Sequence, residues 1–223
     1  MQNINKGKIF KHYLGTFHQI INVVNDSLSD EQMVIYKDLD TNHQTWAMPE
    51  SQFDLEFKEY KRDYKKDGLK AFLGLKFYDG DASKKLVDGI TDALSPLNIR
   101  TFVAVRDIEK YGEVKGLDMA HFMPKYTFPE METSDIMIIE YSEAGAGLGM
   151  CADHAYCNNV PVYLIAKTGS KISTTVNSVA EKVIFYNDIS DITKSFQELI
   201  ENGELKTNPN TCVIQSENFP IKE

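Results

Sequence analysis

Apolar positions fall into two textures along this chain. Up to residue 55 they come in short runs rich in β-branched and aromatic residues: Ile9–Tyr13, Phe17–Val24, Met33–Tyr36 and Thr45–Met48. The turn-forming clusters Leu14-Gly15-Thr16, Asn25-Asp26-Ser27 and Asp38-Leu39-Asp40-Thr41-Asn42 separate these runs. The spacing predicts short strands in a small open barrel or curled sheet. Phe53, Phe57, Tyr60 and Tyr64 then recur three or four apart within Phe53–Gly68, a segment dense in charge, which predicts an amphipathic linking helix.

From Leu69 onward the texture changes. Leu69–Phe77, Ile99–Val105, Asp135–Tyr141, Val160–Ala166 and Lys182–Tyr186 are mainly apolar runs of strand length. Helical patterns lie between them at Ala82–Leu94, Leu117–Glu132, Gly149–Asn158 and Thr174–Ala180, and a last one covers Ser190–Ile200. Apolar strands alternating with helices predict an α/β fold, a five-stranded parallel sheet of Rossmann or flavodoxin type covered on both faces. Its ligand site belongs at the carboxyl ends of the strands, where strand order reverses. The expected domains are a small β-rich domain at 1–55, a linker helix at 56–68, the α/β domain at 69–203 and a C-terminal tail at 204–223. Fewer than ~60 residues make a marginal core, so the first domain is expected to lean on a neighbour or a second copy.

Composition narrows the function classes. A hydrophobic content of 42% with 26% charged residues is ordinary for a soluble globular protein. The formal net charge of -9 argues against nucleic acid and anionic membrane as partners, though local backbone donors still suit a small anion. Cys151, Cys157 and Cys212 show no paired spacing, which argues against a disulfide framework or a zinc knuckle. No metal and no cofactor is expected. The opening Met1-Gln-Asn-Ile-Asn-Lys-Gly-Lys8 lacks an apolar core of signal-peptide length, and no run of ~18 apolar residues occurs, so a cytoplasmic location is expected.

Four segments fall at the expected carboxyl ends. Gly74-Leu-Lys-Phe-Tyr-Asp-Gly-Asp81 closes the first strand of the sheet and opens a helix, where Asp81 or Ser83 suits a cap as well as a ligand contact. Arg106-Asp107 follows the second strand and can grip a ribose or pair with itself. Gly145, Gly147 and Gly149 carry the third strand into its helix, and alternate glycines let a ligand approach the backbone. Cys151 follows them, either as a thiol activated by the helix start or as a small packed residue, and His154 nearby could serve as a base. Ala166-Lys-Thr-Gly-Ser-Lys-Ile-Ser-Thr-Thr175 offers closely spaced hydroxyls as a phosphate or sugar cradle or as helix caps.

On Phe72-Leu-Gly-Leu-Lys-Phe77, Asp135-Ile-Met-Ile-Ile-Glu140, Gly147-Leu-Gly-Met-Cys-Ala-Asp-His-Ala-Tyr156 and Gly169-Ser-Lys-Ile-Ser-Thr-Thr175, residues 70–198 resemble the nucleoside 2-deoxyribosyltransferase superfamily. That superfamily includes the 2'-deoxynucleoside 5'-phosphate N-hydrolases. The resemblance implies cleavage or transfer at the N-glycosidic bond of a deoxynucleoside or its 5'-phosphate. It implies Gly145–Gly149 around the sugar and Phe77 and Tyr78 stacked on the base; Gly74 and Asp107, at their strand ends, are further expected substrate contacts. It also implies Ser170 and Ser173 on the phosphate, reaching the site across the interface of a homodimer or higher homo-oligomer. The family's nucleophile is the glutamate of a Gly-x-Gly-x-Glu motif, and aligned on the glycines that position is Cys151. A thioglycoside formed there would resist hydrolysis. Glu143, on the preceding loop, is the carboxylate that could swing inward, since Asp153 points about 200° away around the helix. The alternative is a catalytically impaired nucleotide-binding or sensing module. Lys11-His-Tyr-Leu-Gly15, Met33-Val-Ile-Tyr36 and Trp46-Ala-Met-Pro49 resemble a short bacterial domain of unknown function, which implies a β-rich fold.

Overall fold

Strand alternation in the first half builds an antiparallel sheet. The computed structural model describes residues 4–6, 8–39, 44–60, 68–78, 80–209 and 211. They fall into two compact units, one containing the chain up to Arg62 and the other Asp63–Asn208. In the first, β1 (Ile9–His12), β2 (Phe17–Asn25), β3 (Gln32–Asp38), β4 (Thr45–Pro49) and β5 (Phe57–Glu59) pair in the order β4-β3-β2-β1-β5. The β1–β2 hairpin turns at Gly15, whose φ of +102° lies in the region that favours glycine. Its N–H donates to His12 O at 2.8 Å and Thr16 O accepts from His12 N at 2.9 Å. One face of the sheet buries Phe10, Ile20, Val34 and Tyr36 against Phe53 and Phe57, and each such side chain contributes about 1.5–3 kcal/mol.

The expected linking helix is corrected here. Helix α1 spans only Glu50–Glu56, and the chain then re-enters the sheet as β5, pairing His12 with Phe57 and Phe10 with Glu59. Phe53 and Phe57 do meet as a helical spacing of four demands, their rings stacked at 4.2 Å. Phe57, however, is buried and Lys58 exposed, the alternation of a strand. An aromatic spacing of four thus served a single helical turn joined to a strand. Tyr64 and the rest of 61–67 lie outside the described residues.

The second unit is a five-stranded parallel sheet, as the apolar runs predict. Strands β6 (Leu69–Leu75), β7 (Ile99–Phe102), β8 (Ile136–Glu140), β9 (Val162–Lys167) and β10 (Ala180–Tyr186) lie in the order β10-β9-β8-β6-β7. Strand order therefore reverses between β6 and β8, the arrangement of flavodoxin-like sheets. Alternation sends Ala71, Leu73 and Ile138 to one face, under α2 (Asp81–Leu94) and α7 (Ile189–Glu201). Phe72, Met137 and Ile139 face the other way, under α5 (Ala146–Cys157).

Three expectations about elements change. Ile99–Val105 stops as a strand at Phe102, because Ala104–Asp107 coils into the short helix α3. Leu117–Glu132 is not one helix: a 3₁₀ turn at Met119–His121 leads into a π turn at Met123–Thr127 and then α4 (Phe128–Glu132). Pro124 and Pro129 lack the N–H donors a regular ladder needs, and the Phe128 N–H reaches back five residues to Met123 O. Helix α6 (Thr174–Asn177) is shorter than the expected Thr174–Ala180, and Ala180 already belongs to β10. The expected tail also starts later than residue 204. Leu205 is buried in the core, and Asn208 donates from Nδ2 to Glu132 O and Ser134 O, closing the ends of α4 and β8.

Candidate functional site

The carboxyl ends of β6 and β7 and the start of α5 surround a cavity of about 410 Å³. Phe72, Phe77, Val103, Phe122 and Leu148 give it apolar walls, and Gly74, Gly145 and Gly147 bring backbone to its surface. A Cβ at Gly74 would sit 2.8 Å from Met137 Cε, so that glycine also serves packing; one at Gly147 would meet nothing within 4 Å. Gly149 does not line this cavity. It lies inside α5, its N–H donating to Gly145 O at 3.2 Å. The three glycines therefore split, with Gly145 and Gly147 at the cavity and Gly149 turned away from it.

Cys151 lines the cavity and is only 7% exposed. Burial pushes its thiol up to about 11. An activated thiol was one expectation, and it fails for a positional reason. Cys151 is past the first turn of α5, beyond the reach of the helix N-terminus, while apolar neighbours disfavour the thiolate. His154 is engaged elsewhere: its Nε2 lies 2.8 Å from Glu132 Oε1 and its ring stacks on Phe128 at 3.8 Å.

Glu143 does not join Cys151. It is ion-paired to Lys76 and accepts from Tyr78 OH at 2.6 Å. These donors, Lys76 first, hold its carboxyl below its ordinary value. Glu143 and Tyr78 line a second cavity of about 500 Å³, while Phe77 lines the first. Phe77 and Tyr78 are consecutive and face different cavities, so they do not form the two halves of one base clamp.

Asp107 is taken up by structure. Its Oδ2 accepts from Val103 N and Arg106 Nη2, both at 2.8 Å, and its Oδ1 from Arg106 Nε at 2.9 Å. Burial alone would raise its carboxyl, but Arg106 and the Val103 N–H outweigh it and hold it low. Arg106 also donates to Thr101 O at 2.6 Å, so the pair ties α3 to β7. Ser170 and Ser173 sit between β9 and α6 (Thr174–Asn177), and neither lines the two cavities described. Ser173 holds the N-cap position of α6 without a side-chain cap bond.

Two features of these cavities escaped the sequence reading. Thr127, at the end of the π turn, lines the first cavity with a buried Oγ1 that has no hydrogen-bond partner among the described residues. Nothing in the sequence marks it, because its position depends on the irregular helix. The second is Glu140, a buried carboxylate that lines the second cavity at the end of β8. An acid closing the run Ile-Met-Ile-Ile-Glu140 was a visible signal. Among the described residues no cluster of side chains suits a metal, and no helix is long and apolar enough to cross a membrane.

A family model described as a protein of unknown function (DUF1653) matches residues 8–66. No curated protein matches the chain. Among solved structures, a 2-deoxyribosyltransferase from Bacillus psychrosaccharolyticus is similar at 17% identity, over 56% of this chain and 90% of that one, with a TM-score of 0.44. A CMP N-glycosidase from Clostridium botulinum is similar at 12% identity, over 57% and 98%, with a TM-score of 0.40. A conserved protein from Enterococcus faecalis V583 shares 9% identity over 59% and 98%, with a TM-score of 0.47. Likeness of this order assigns no chemistry.

Proposed function

We propose that the α/β unit binds a nucleoside or its 5'-phosphate in the cavity lined by Cys151, and holds it rather than cleaving it. The observation that carries this reading is Cys151 itself. The motif resemblance implies a carboxylate nucleophile at that position, and a buried thiol with a pKa of about 11 is neutral near pH 7. Neutral sulfur is a weak nucleophile toward an anomeric carbon. The remaining features suit a flat base with a polar edge: aromatic walls at Phe72, Phe77 and Phe122, exposed backbone at Gly145 and Gly147, and the unmatched Thr127 hydroxyl.

The competing reading is cleavage or transfer at the N-glycosidic bond. It has one observation on its side, since the Glu109 carboxylate also lines this cavity. Deoxynucleosides and their 5'-monophosphates should be assayed separately for binding by calorimetry and for free base by chromatography. Binding without base release is the expected result. Base release that survives Cys151→Ala and disappears in Glu109→Gln would overturn the binding-only reading in favour of an enzyme.

A further inference from the structure

The second cavity lies on the opposite face of the sheet, between the ends of β8 and β10 and the starts of α2 and α7. Its floor is Glu140, 5% exposed. Tyr186 OH donates to Glu140 Oε1 at 2.9 Å, Ser142 N donates at 3.3 Å, and the Ser142 hydroxyl donates to the same oxygen. Every hydrogen bond to this carboxylate among the described residues reaches Oε1, which leaves Oε2 to the cavity. Oε2 is open enough for water to reach it, so a ligand hydroxyl donating there takes the place of water in a charge-assisted bond.

The rim carries the opposite need. Of the cationic groups, Lys76 is neutralised by Glu143, whereas the ammonium groups of Lys85 and Lys167 have no ion pair among the described residues. Asp188, the other carboxylate lining the cavity, is committed to the capping box of α7. Helix α2 starts at Gly80 without a side-chain cap, and Ala82 and Ser83 of its first turn line the cavity. Two free cations beside open helix N–H groups match a doubly charged anion.

We propose that this cavity binds a phosphorylated sugar, a sugar hydroxyl donating to Glu140 Oε2 and the phosphate meeting Lys85, Lys167 and the start of α2. The proposal stands apart from the nucleoside reading, because Glu140, Lys85 and Lys167 do not line the first cavity, although Lys76 borders both.

Calorimetry on the full chain with ribose 5-phosphate and glucose 6-phosphate tests it, with ribose, glucose and inorganic phosphate as comparison ligands. At least one ester should bind, and its sugar and inorganic phosphate should each bind about tenfold or more weaker. Glu140→Gln keeps an oxygen for the Tyr186 and Ser142 bonds and turns the Oε2 acceptor into a donor. It should weaken ester binding about tenfold or more, the loss of one charged hydrogen bond. Lys85→Ala combined with Lys167→Ala alters only exposed side chains, and should weaken the esters comparably while flattening their salt dependence. Saturating deoxynucleoside without phosphate should leave the ester affinity unchanged, which separates the two cavities. Absence of binding by both esters would overturn the proposal. So would inorganic phosphate binding as tightly as the esters, or affinity that ignores both the Gln and the double Ala variants.

Discussion

At the scale of single residues, Cys151 decides more than any other position. Its thiol titrates near 11 in the folded chain against an ordinary value of 9.0, because burial penalises the thiolate. A group whose folded pKa is raised stabilises fully below its unfolded pKa and loses that contribution as pH rises through the folded one. Stability from this source is therefore complete below pH 9 and lost towards pH 11. Cys151→Ala should show a shallower decline of unfolding free energy over that window than the natural protein, by about 3 kcal/mol at most. Equal slopes would mean that the thiol is not buried as described. Exposed Cys157 should accordingly alkylate well before Cys151 at neutral pH. Cys151→Glu places a carboxylate at the cavity, and under the proposed function it should create measurable base release where the natural chain shows none. A folded Cys151→Glu that binds the deoxynucleotide and releases no base would disprove the motif alignment. Thr127→Val removes an unmatched buried hydroxyl with little change of shape. The free protein should gain up to about 1 kcal/mol, and nucleoside affinity should fall if that oxygen meets the ligand.

At the scale of elements, the sequence was most legible where burial is two-sided. Runs such as Met137–Ile139 are apolar throughout because a parallel strand has helices on both faces, and all five runs of this kind became strands of the second sheet. Legibility failed where local rules compete. Apolar spacing across 117–132 fits a helix, yet two prolines divide it, and the resulting π turn is what carries Thr127 to the cavity. Spacing at Phe53 and Phe57 fits a helix too, and pairing with β1 overrides it after one turn. Local motif order puts Gly145, Gly147 and Cys151 at the first cavity and leaves Gly149 off it. The opposite wall of that cavity was not legible, because consecutive residues such as Phe77 and Tyr78 diverge to different faces once the strand ends. The hairpin at Gly15 offers a clean test of an element built on backbone freedom. A Cβ there would touch nothing within 4 Å, so Gly15→Ala should cost about 1 kcal/mol through its positive φ alone. Chemical denaturation showing no loss would mean that the turn relaxes at no cost.

At the scale of the whole molecule, the proposed function carries an expectation about assembly. Ser170 and Ser173 line neither described cavity of their own chain, yet the resemblance places this hydroxyl segment on a substrate phosphate. Both statements hold together if the segment reaches the nucleotide cavity of a second copy. The chain carries a net charge of -9, so a 5'-phosphate gains no help from the overall field and depends on local donors such as these hydroxyls. The expected assembly is a homodimer or larger closed oligomer. Sedimentation of the natural chain should show that oligomer at micromolar concentration. The double variant Ser170→Ala with Ser173→Ala should then lose affinity for a deoxynucleoside 5'-monophosphate by about tenfold, while its affinity for the unphosphorylated nucleoside stays level. Both serines are half-buried and Ser173 makes no cap bond, so a folding defect is not expected to confuse the result. A monomer that still prefers the monophosphate would break the link between this segment and the site, and the phosphate would then have to be met by donors of the same chain around Gly145.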